Sequence, residues 1–182
     1  MTQLPESDRP EIAFAGRSNV GKSSVLGMIL ASPKLVRTSR TPGRTQALNL
    51  FSFEDRVTLA DLPGYGYAKL PKDLRRRLQT MLVDYVSGRA PLLGVALLID
   101  LRREGATDDD RWFAAKILEA RRQLLLVLTK ADLVAKNRLL AATRRVEADL
   151  GVEAGVAVVC SAKTGAGRAE LVARIGELVA GC

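Results

Sequence analysis

The 182-residue sequence predicts one α/β domain: a mostly parallel six-stranded sheet with one antiparallel strand, flanked by about five helices. Three observations predict it. Short apolar runs alternate with helical patterns along the whole chain. Four of the runs are almost continuously apolar, as strands are when helices cover both faces of a parallel sheet. Two neighbouring runs are joined only by Glu54-Asp55, a hairpin-length link that turns one strand antiparallel.

The strands are expected, in order, at 11–16 (EIAFAG), 47–53 (ALNLFSF), 56–61 (RVTLAD), 93–100 (LGVALLID), 123–130 (QLLLVLTK) and 156–160 (VAVVC). Helical patterns fall between and after them at 22–31, 72–87, 108–120, 136–150 and 169–179. Residues 1–10 form a short polar segment and 11–182 the domain, with no repeat, low-complexity tract or linker. The Pro/Gly-rich stretches at 41–44 and 63–66 are expected to be functional loops.

Composition narrows the chemistry. The absence of histidine removes imidazole catalysis and histidine metal ligation, leaving carboxylates, hydroxyls, lysine, arginine, backbone amides or a bound metal. Two cysteines, Cys160 and Cys182, are too few for a disulfide framework or a zinc site. No apolar run reaches the roughly 20 residues of a membrane span, and the polar start is no signal peptide. A cytoplasmic protein without membrane contact is expected. The net charge of +8 points to a polyanionic partner.

The chemistry is carried by four short motifs. Gly16-Arg17-Ser18-Asn19-Val20-Gly21-Lys22-Ser23, followed by Ser24, fits G-x-x-x-x-G-K-[ST] between an expected strand and an expected helix. Its glycines let successive amides face phosphate oxygens, and the helix end adds partial positive charge. Lys22 would neutralise β/γ-phosphates and Ser23 would bind Mg²⁺. Thr129-Lys130-Ala131-Asp132 closes a buried strand, and the Asp132 carboxylate, expected to be buried, can accept two hydrogen bonds from guanine N1–H and its exocyclic amine. Adenine has no such donor pair. The Lys130 stem can lie along the base, and Ser161-Ala162-Lys163 offers a backbone contact to the guanine carbonyl.

Asp61-Leu62-Pro63-Gly64 ends the third strand. There Asp61 can hold Mg²⁺ through water and the Gly64 amide can sense a γ-phosphate. Within Thr41-Pro42-Gly43-Arg44-Thr45-Gln46, Thr45 is the better candidate than Thr41 for a hydroxyl that meets Mg²⁺ only with the γ-phosphate present. These two loops are the candidate switches. The metal ligands expected are thus Ser23, Thr45 and Asp61.

GRSNVGKSS, TPGRTQ, DLPGYGYAKL, TKAD and SAK, in this order and spacing, resemble the EngB (YihA/YsxC-type) bacterial ribosome-biogenesis GTPases from about 11 to 179. The resemblance implies a Ras-like P-loop GTPase fold, GTP and GDP binding and a role in assembling the large ribosomal subunit; Mg²⁺-dependent hydrolysis and a monomer are expected. Members commonly carry a longer N-terminal extension than the ten residues here. Tyr65 stands where Ras-type proteins place a water-orienting glutamine, so unassisted hydrolysis is expected to be slow. Related GTPases with an asparagine at the place of Asn19 use it to hold K⁺, which makes Asn19 a catalytic candidate beside Lys22, Thr45 and Gly64. Arg44 suits RNA or phosphate contact better than a cis arginine finger.

The basic residues are unevenly placed. From 12 to 53 there is no Asp or Glu, yet Arg17, Lys22, Lys34, Arg37, Arg40 and Arg44 fall there. Lys69, Lys72, Arg75, Arg76 and Arg77 follow the second switch, offset only by Asp73. Both switch neighbourhoods are therefore expected to face rRNA. A trafficking-type GTPase would need a lipidation signal and usually the glutamine, and a P-loop small-molecule kinase would lack Asp132 and usually add a lid.

Overall fold

The computed structural model describes residues 8–30, 36–40, 48–66 and 71–181. Its strands are β1 (Glu11–Gly16), β2 (Val36–Arg40), β3 (Asn49–Phe53), β4 (Val57–Asp61), β5 (Leu92–Asp100), β6 (Gln123–Thr129) and β7 (Val158–Val159). They form one sheet in the order β2-β3-β4-β1-β5-β6-β7. Only β3 runs against the others, antiparallel to both β2 and β4. The mixed α/β architecture with one antiparallel strand is the expected one.

The strand count is corrected from six to seven among the described residues. VRTSR (36–40) has a single apolar residue, so nothing in its pattern marks a strand; it forms by pairing with the edge of β3. At the other edge the run 156–160 contributes only Val158–Val159 to the ladder, opposite Val127 and Leu128.

All five helices are present: α1 (Lys22–Ile29), α2 (Lys72–Gly88), α3 (Asp108–Glu119), α4 (Lys136–Leu150) and α5 (Arg168–Ala180). Strand alternation assigns their sides. Ile12 and Phe14 of β1 pack with Val25, Ile29, Leu171 and Ile175 of α1 and α5. Ala13 and Ala15 point the other way, among Leu78, Leu82 and Val86 of α2 and Phe113 and Ile117 of α3. The i, i+4, i+8 spacing of Leu78, Leu82 and Val86 is one face of a helix, which explains why arginine-rich α2 still docks. A third cluster seats α4 through Val146 on Ile99, Leu126 and Leu128. Among the described residues no helix is long and apolar enough to cross a membrane.

The hairpin between β3 and β4 turns on Glu54 and Asp55, with φ of 51° and 54°, and Arg56 N–H donates to Phe53 O at 3.1 Å. Positive φ at both central residues defines the primed turn that matches strand twist. The polar segment expected at 1–10 ends against this hairpin: Arg9 donates to Ser52 Oγ at 2.9 Å, and Thr58 N–H donates to Pro10 O at 2.9 Å.

Since β1 has β4 on one side and β5 on the other, the chain changes winding direction there. The crevice outside the carboxyl end of such a strand is where open α/β sheets place ligands. The loop 17–21 and the N-terminus of α1 stand in it.

Candidate functional site

Gly16 ends β1 so close to β5 that a Cβ would lie 2.8 Å from Leu98 O. The chain then curls through Asn19 (φ 63°) and Gly21 (φ 100°) before α1 begins at Lys22. The first bond of the helix is Val25 N–H to Gly21 O at 2.9 Å. The amides of Lys22, Ser23 and Ser24 therefore form the end of the helix that carries partial positive charge. Two loop amides are already engaged: Ser18 N–H donates to Tyr65 O, after β4, at 3.1 Å and Val20 N–H to Arg17 O at 3.2 Å.

A cleft of about 470 Å³ opens over this end, lined by Arg17, Ser18, Asn19 and Gly21, by Lys22, Ser23 and Ser24, and by Gly64 and Lys130. Val20 is absent from the lining because its side chain lies in the core. The Lys22 ammonium meets the Asp61 carboxylate, both largely buried, so the groups assigned to phosphate and metal already face each other. Asn49 Nδ2 lies 3.4 Å from the other Asp61 oxygen. Leu62 and Pro63 are buried and contribute backbone rather than side chains. A Cβ on Gly64 would stand 3.3 Å from Ser18 N, so a side chain there would press this loop slightly away from the loop 17–21.

Tyr65 points away from the cleft. It is 2% exposed, donates to Asp110 Oδ1 at 2.9 Å and tilts against Phe113 at a centroid distance of 5.5 Å. Burial, reinforced by Asp110, pushes its hydroxyl well above the ordinary tyrosine range, so it stays a proton donor. The residue in the glutamine place is therefore a core anchor and positions no water.

The base side of the cleft is built from strand ends. Thr129 Oγ1 donates to Val20 O at 2.7 Å, tying β6 to the phosphate loop. Lys130 takes a left-handed φ of 61°, and its Nζ donates to Asn19 O at 2.6 Å. Ala131 N–H donates to Cys160 O at 3.1 Å. Ser161, itself buried, donates from Oγ to Asp132 Oδ1 at 2.7 Å and accepts from Thr164 N–H at 3.2 Å. Three distant segments thus converge at one rim. Asp132 corrects one expectation: the residue is exposed, with Oδ1 engaged by Ser161. Ala162 packs partly on the core, while Lys163 is exposed.

Gly43, Arg44 and Thr45, with Thr41, lie outside the described residues, as does Lys69. Among the basic residues expected between 17 and 44, only Arg17 and Lys22 have described side chains, and both line the cleft. The three arginines in α2 are all exposed, and Arg75 donates to Asp109 Oδ1 at 2.7 Å. The sequence reading missed Asp100, a buried carboxylate that ends β5 beside Lys130. An acidic residue closing an apolar strand was the available signal.

Comparison with known proteins agrees with this geometry. The family model described as 50S ribosome-binding GTPase matches residues 11–130. A probable GTP-binding protein EngB of Desulfatibacillum aliphaticivorans is 45% identical over 177 residues, covering 96% of this chain and 84% of that one. The probable EngB of Geotalea daltonii is 45% identical over 152 residues, 82% of this chain and 72% of its own. The crystal structure of a probable GTP-binding protein EngB superimposes with a TM-score of 0.78 over 94% of this chain and all of that chain, at 23% identity, which is a likeness of fold. The chain belongs to the EngB family of GTP-binding proteins and is a GTPase.

Proposed function

We propose that this GTPase is a GTP-controlled switch in assembly of the large ribosomal subunit, working in the cytoplasm as a monomer whose residues 11–182 form the G domain. The observation that carries this reading is the match of residues 11–130 to 50S ribosome-binding GTPases, a span holding the cleft and the exposed basic start of α2. In this reading the amides at the start of α1 and the Lys22 ammonium take the phosphates. Asp132 and Lys130 take guanine, with Ser161, Ala162 and Lys163 completing the rim. Ser23 and Asp61 are hard oxygen donors of the kind Mg²⁺ accepts beside phosphate oxygens. Bound there, the ion would neutralise charge on the phosphate chain. The Lys22–Asp61 pair would then exchange one shared contact for two, ammonium to phosphate and carboxylate towards the metal side.

Gly64 reports the γ-phosphate by its amide, and Thr45 completes the metal shell only in the GTP state. Thr45→Ala should therefore lower affinity for a non-hydrolysable GTP analogue and leave GDP affinity within about twofold. Equal losses for both nucleotides would place the switch hydroxyl elsewhere.

Hydrolysis is slow in this reading, because Tyr65 is held in the core and positions no water. The Asn19 side chain at the mouth of the cleft would hold K⁺ beside the phosphates. Turnover should be faster in KCl than in NaCl at equal ionic strength, and Asn19→Ala should abolish the difference. Equal wild-type rates in the two salts, or a K⁺ effect that survives Asn19→Ala, refute the cation role.

The partner is tested by co-sedimentation with purified large subunits. The GTP form should bind more tightly than the GDP form, and binding should fall steeply with salt as condensed counterions are released. Arg76→Glu with Arg77→Glu is the appropriate pair, since Arg75 is already paired with Asp109 at the surface. The pair should reduce particle binding and flatten the salt slope by roughly 1–2 while sparing nucleotide affinity. Salt-independent binding, or normal sedimentation of the pair, sinks the proposal.

A further inference from the structure

We infer that Asp100 is the positioning residue that fixes Lys130 across the nucleotide cleft and so ties the base loop to the phosphate loop. The inference rests on the guanine-nucleotide reading of this site. Asp100 is 3% exposed and ends β5 directly beside Thr129 of β6. Its Oδ1 accepts from the Arg102 amide at 3.1 Å and from Arg102 Nε at 3.0 Å. Its Oδ2 accepts from Arg102 Nη2 at 2.7 Å and from Lys130 Nζ at 2.9 Å.

Arg102 alone already satisfies this carboxylate as a strand-end cap. The additional bond goes to the lysine of the base motif, whose ammonium also donates to Asn19 O at 2.6 Å. Held between a fixed anion and a fixed carbonyl, the Lys130 stem crosses the cleft within 3.7 Å of where a Cβ on Gly21 would stand. Burial works to raise the Asp100 carboxyl, but the hydrogen bonds from Arg102 and Lys130 outweigh it and bring it down to about 2. The group is therefore ionised throughout the physiological range. Its anion restricts Lys130 to one orientation before any base arrives, so less side-chain freedom is lost on binding. Asparagine keeps the shape and one acceptor but loses the charge that makes such bonds strong.

The test is a double-mutant cycle on the full chain, reading the dissociation constant of a fluorescent GDP by anisotropy. Asp100→Asn should weaken GDP about tenfold and Lys130→Met by at least as much. The double variant should bind no more weakly than Lys130→Met alone, because Asp100 acts through Lys130. A purely structural role would instead make the two losses multiply. Wild-type affinity in Asp100→Asn, or multiplying losses, overturns the inference. Asp100→Glu covers the case in which asparagine folds poorly: it keeps the charge but displaces it by one methylene, so affinity should fall about threefold, and unchanged affinity overturns the inference. Failure of the wild-type chain to bind GDP would instead refute the guanine reading itself.

Discussion

Asp132→Ala is expected to weaken GDP and GTP together by at least about tenfold while the fold persists. The structure explains why both halves should hold. Asp132 is exposed on the short turn Ala131–Leu133, so its removal leaves no cavity. Its Oδ1 already accepts Ser161 Oγ at 2.7 Å, which fixes the carboxylate plane without using all its lone pairs. A carboxylate's two acceptors match the N1–H and exocyclic amine of guanine, and each charge-assisted bond contributes about 1.5–3 kcal/mol. Adenine would set its N1 lone pair and a C2–H against the same oxygens. Asp132→Asn replaces one acceptor by a donor and should shift preference towards xanthine nucleotides, which carry a carbonyl where guanine carries its amine. Ser161→Ala should follow more weakly, since it removes only the group that holds the plane. Titrations with GDP, XDP and ADP decide the matter. GDP affinity unchanged in Asp132→Ala would leave the base specificity without its residue.

Much of this site was legible because its residues announce themselves locally. The residues from 17 to 24, Val20 excepted, follow one another in the chain and line the cleft together, so reading them in order amounts to reading the site. The central strands and all five helices were legible for a related reason: helices cover both sheet faces, which demands apolar runs such as LLGVALLID in β5. What was not legible depends on register between distant segments. Asp100 acquires its meaning only when β5 and β6 pair and bring Lys130 to its side. Tyr65 reads as a poor substitute for glutamine until Asp110, on a helix more than forty residues later, is seen to receive its hydroxyl. β2 escaped because VRTSR takes its hydrogen bonds from β3 and needs no apolar pattern of its own. The extent of exposure at Asp132 was likewise a tertiary fact, set by where the rim of the cleft falls.

Arg89→Met is expected to destabilise the protein by about 3–5 kcal/mol, the usual consequence of stranding one charge of a buried pair. The partner is Glu11, the first residue of β1, with no exposed surface at all. Arg89 follows α2 and donates to Glu11 Oε2 from Nη2 at 2.9 Å and from Nε at 3.2 Å. Tyr85, one turn earlier in α2, donates its hydroxyl to the other Glu11 oxygen. Burial, and then the adjacent Glu11 carboxylate, push that hydroxyl far above the ordinary tyrosine range, so it remains a donor. Arg122 finishes the corner by donating to the carbonyls of Val86, Leu92 and Arg89 at 2.6–3.1 Å. Without the Arg89 guanidinium, Glu11 would keep one neutral donor for a buried negative charge, and solvent cannot replace the rest. Removing both charges should be far milder: Glu11→Leu with Arg89→Met leaves no ion in the interior, and matched apolar replacements of buried pairs are often neutral. The corner sits at the amino end of β1, opposite the nucleotide cleft at its carboxyl end, so GDP affinity should survive in whatever fraction stays folded. Urea unfolding of the single and double variants, each with a GDP titration well below its midpoint, tests both halves. An Arg89→Met variant within about 1 kcal/mol of wild type would mean that Glu11 finds another partner. A double variant as damaged as the single would mean that the corner matters for its shape and hydrogen bonds rather than for its charges.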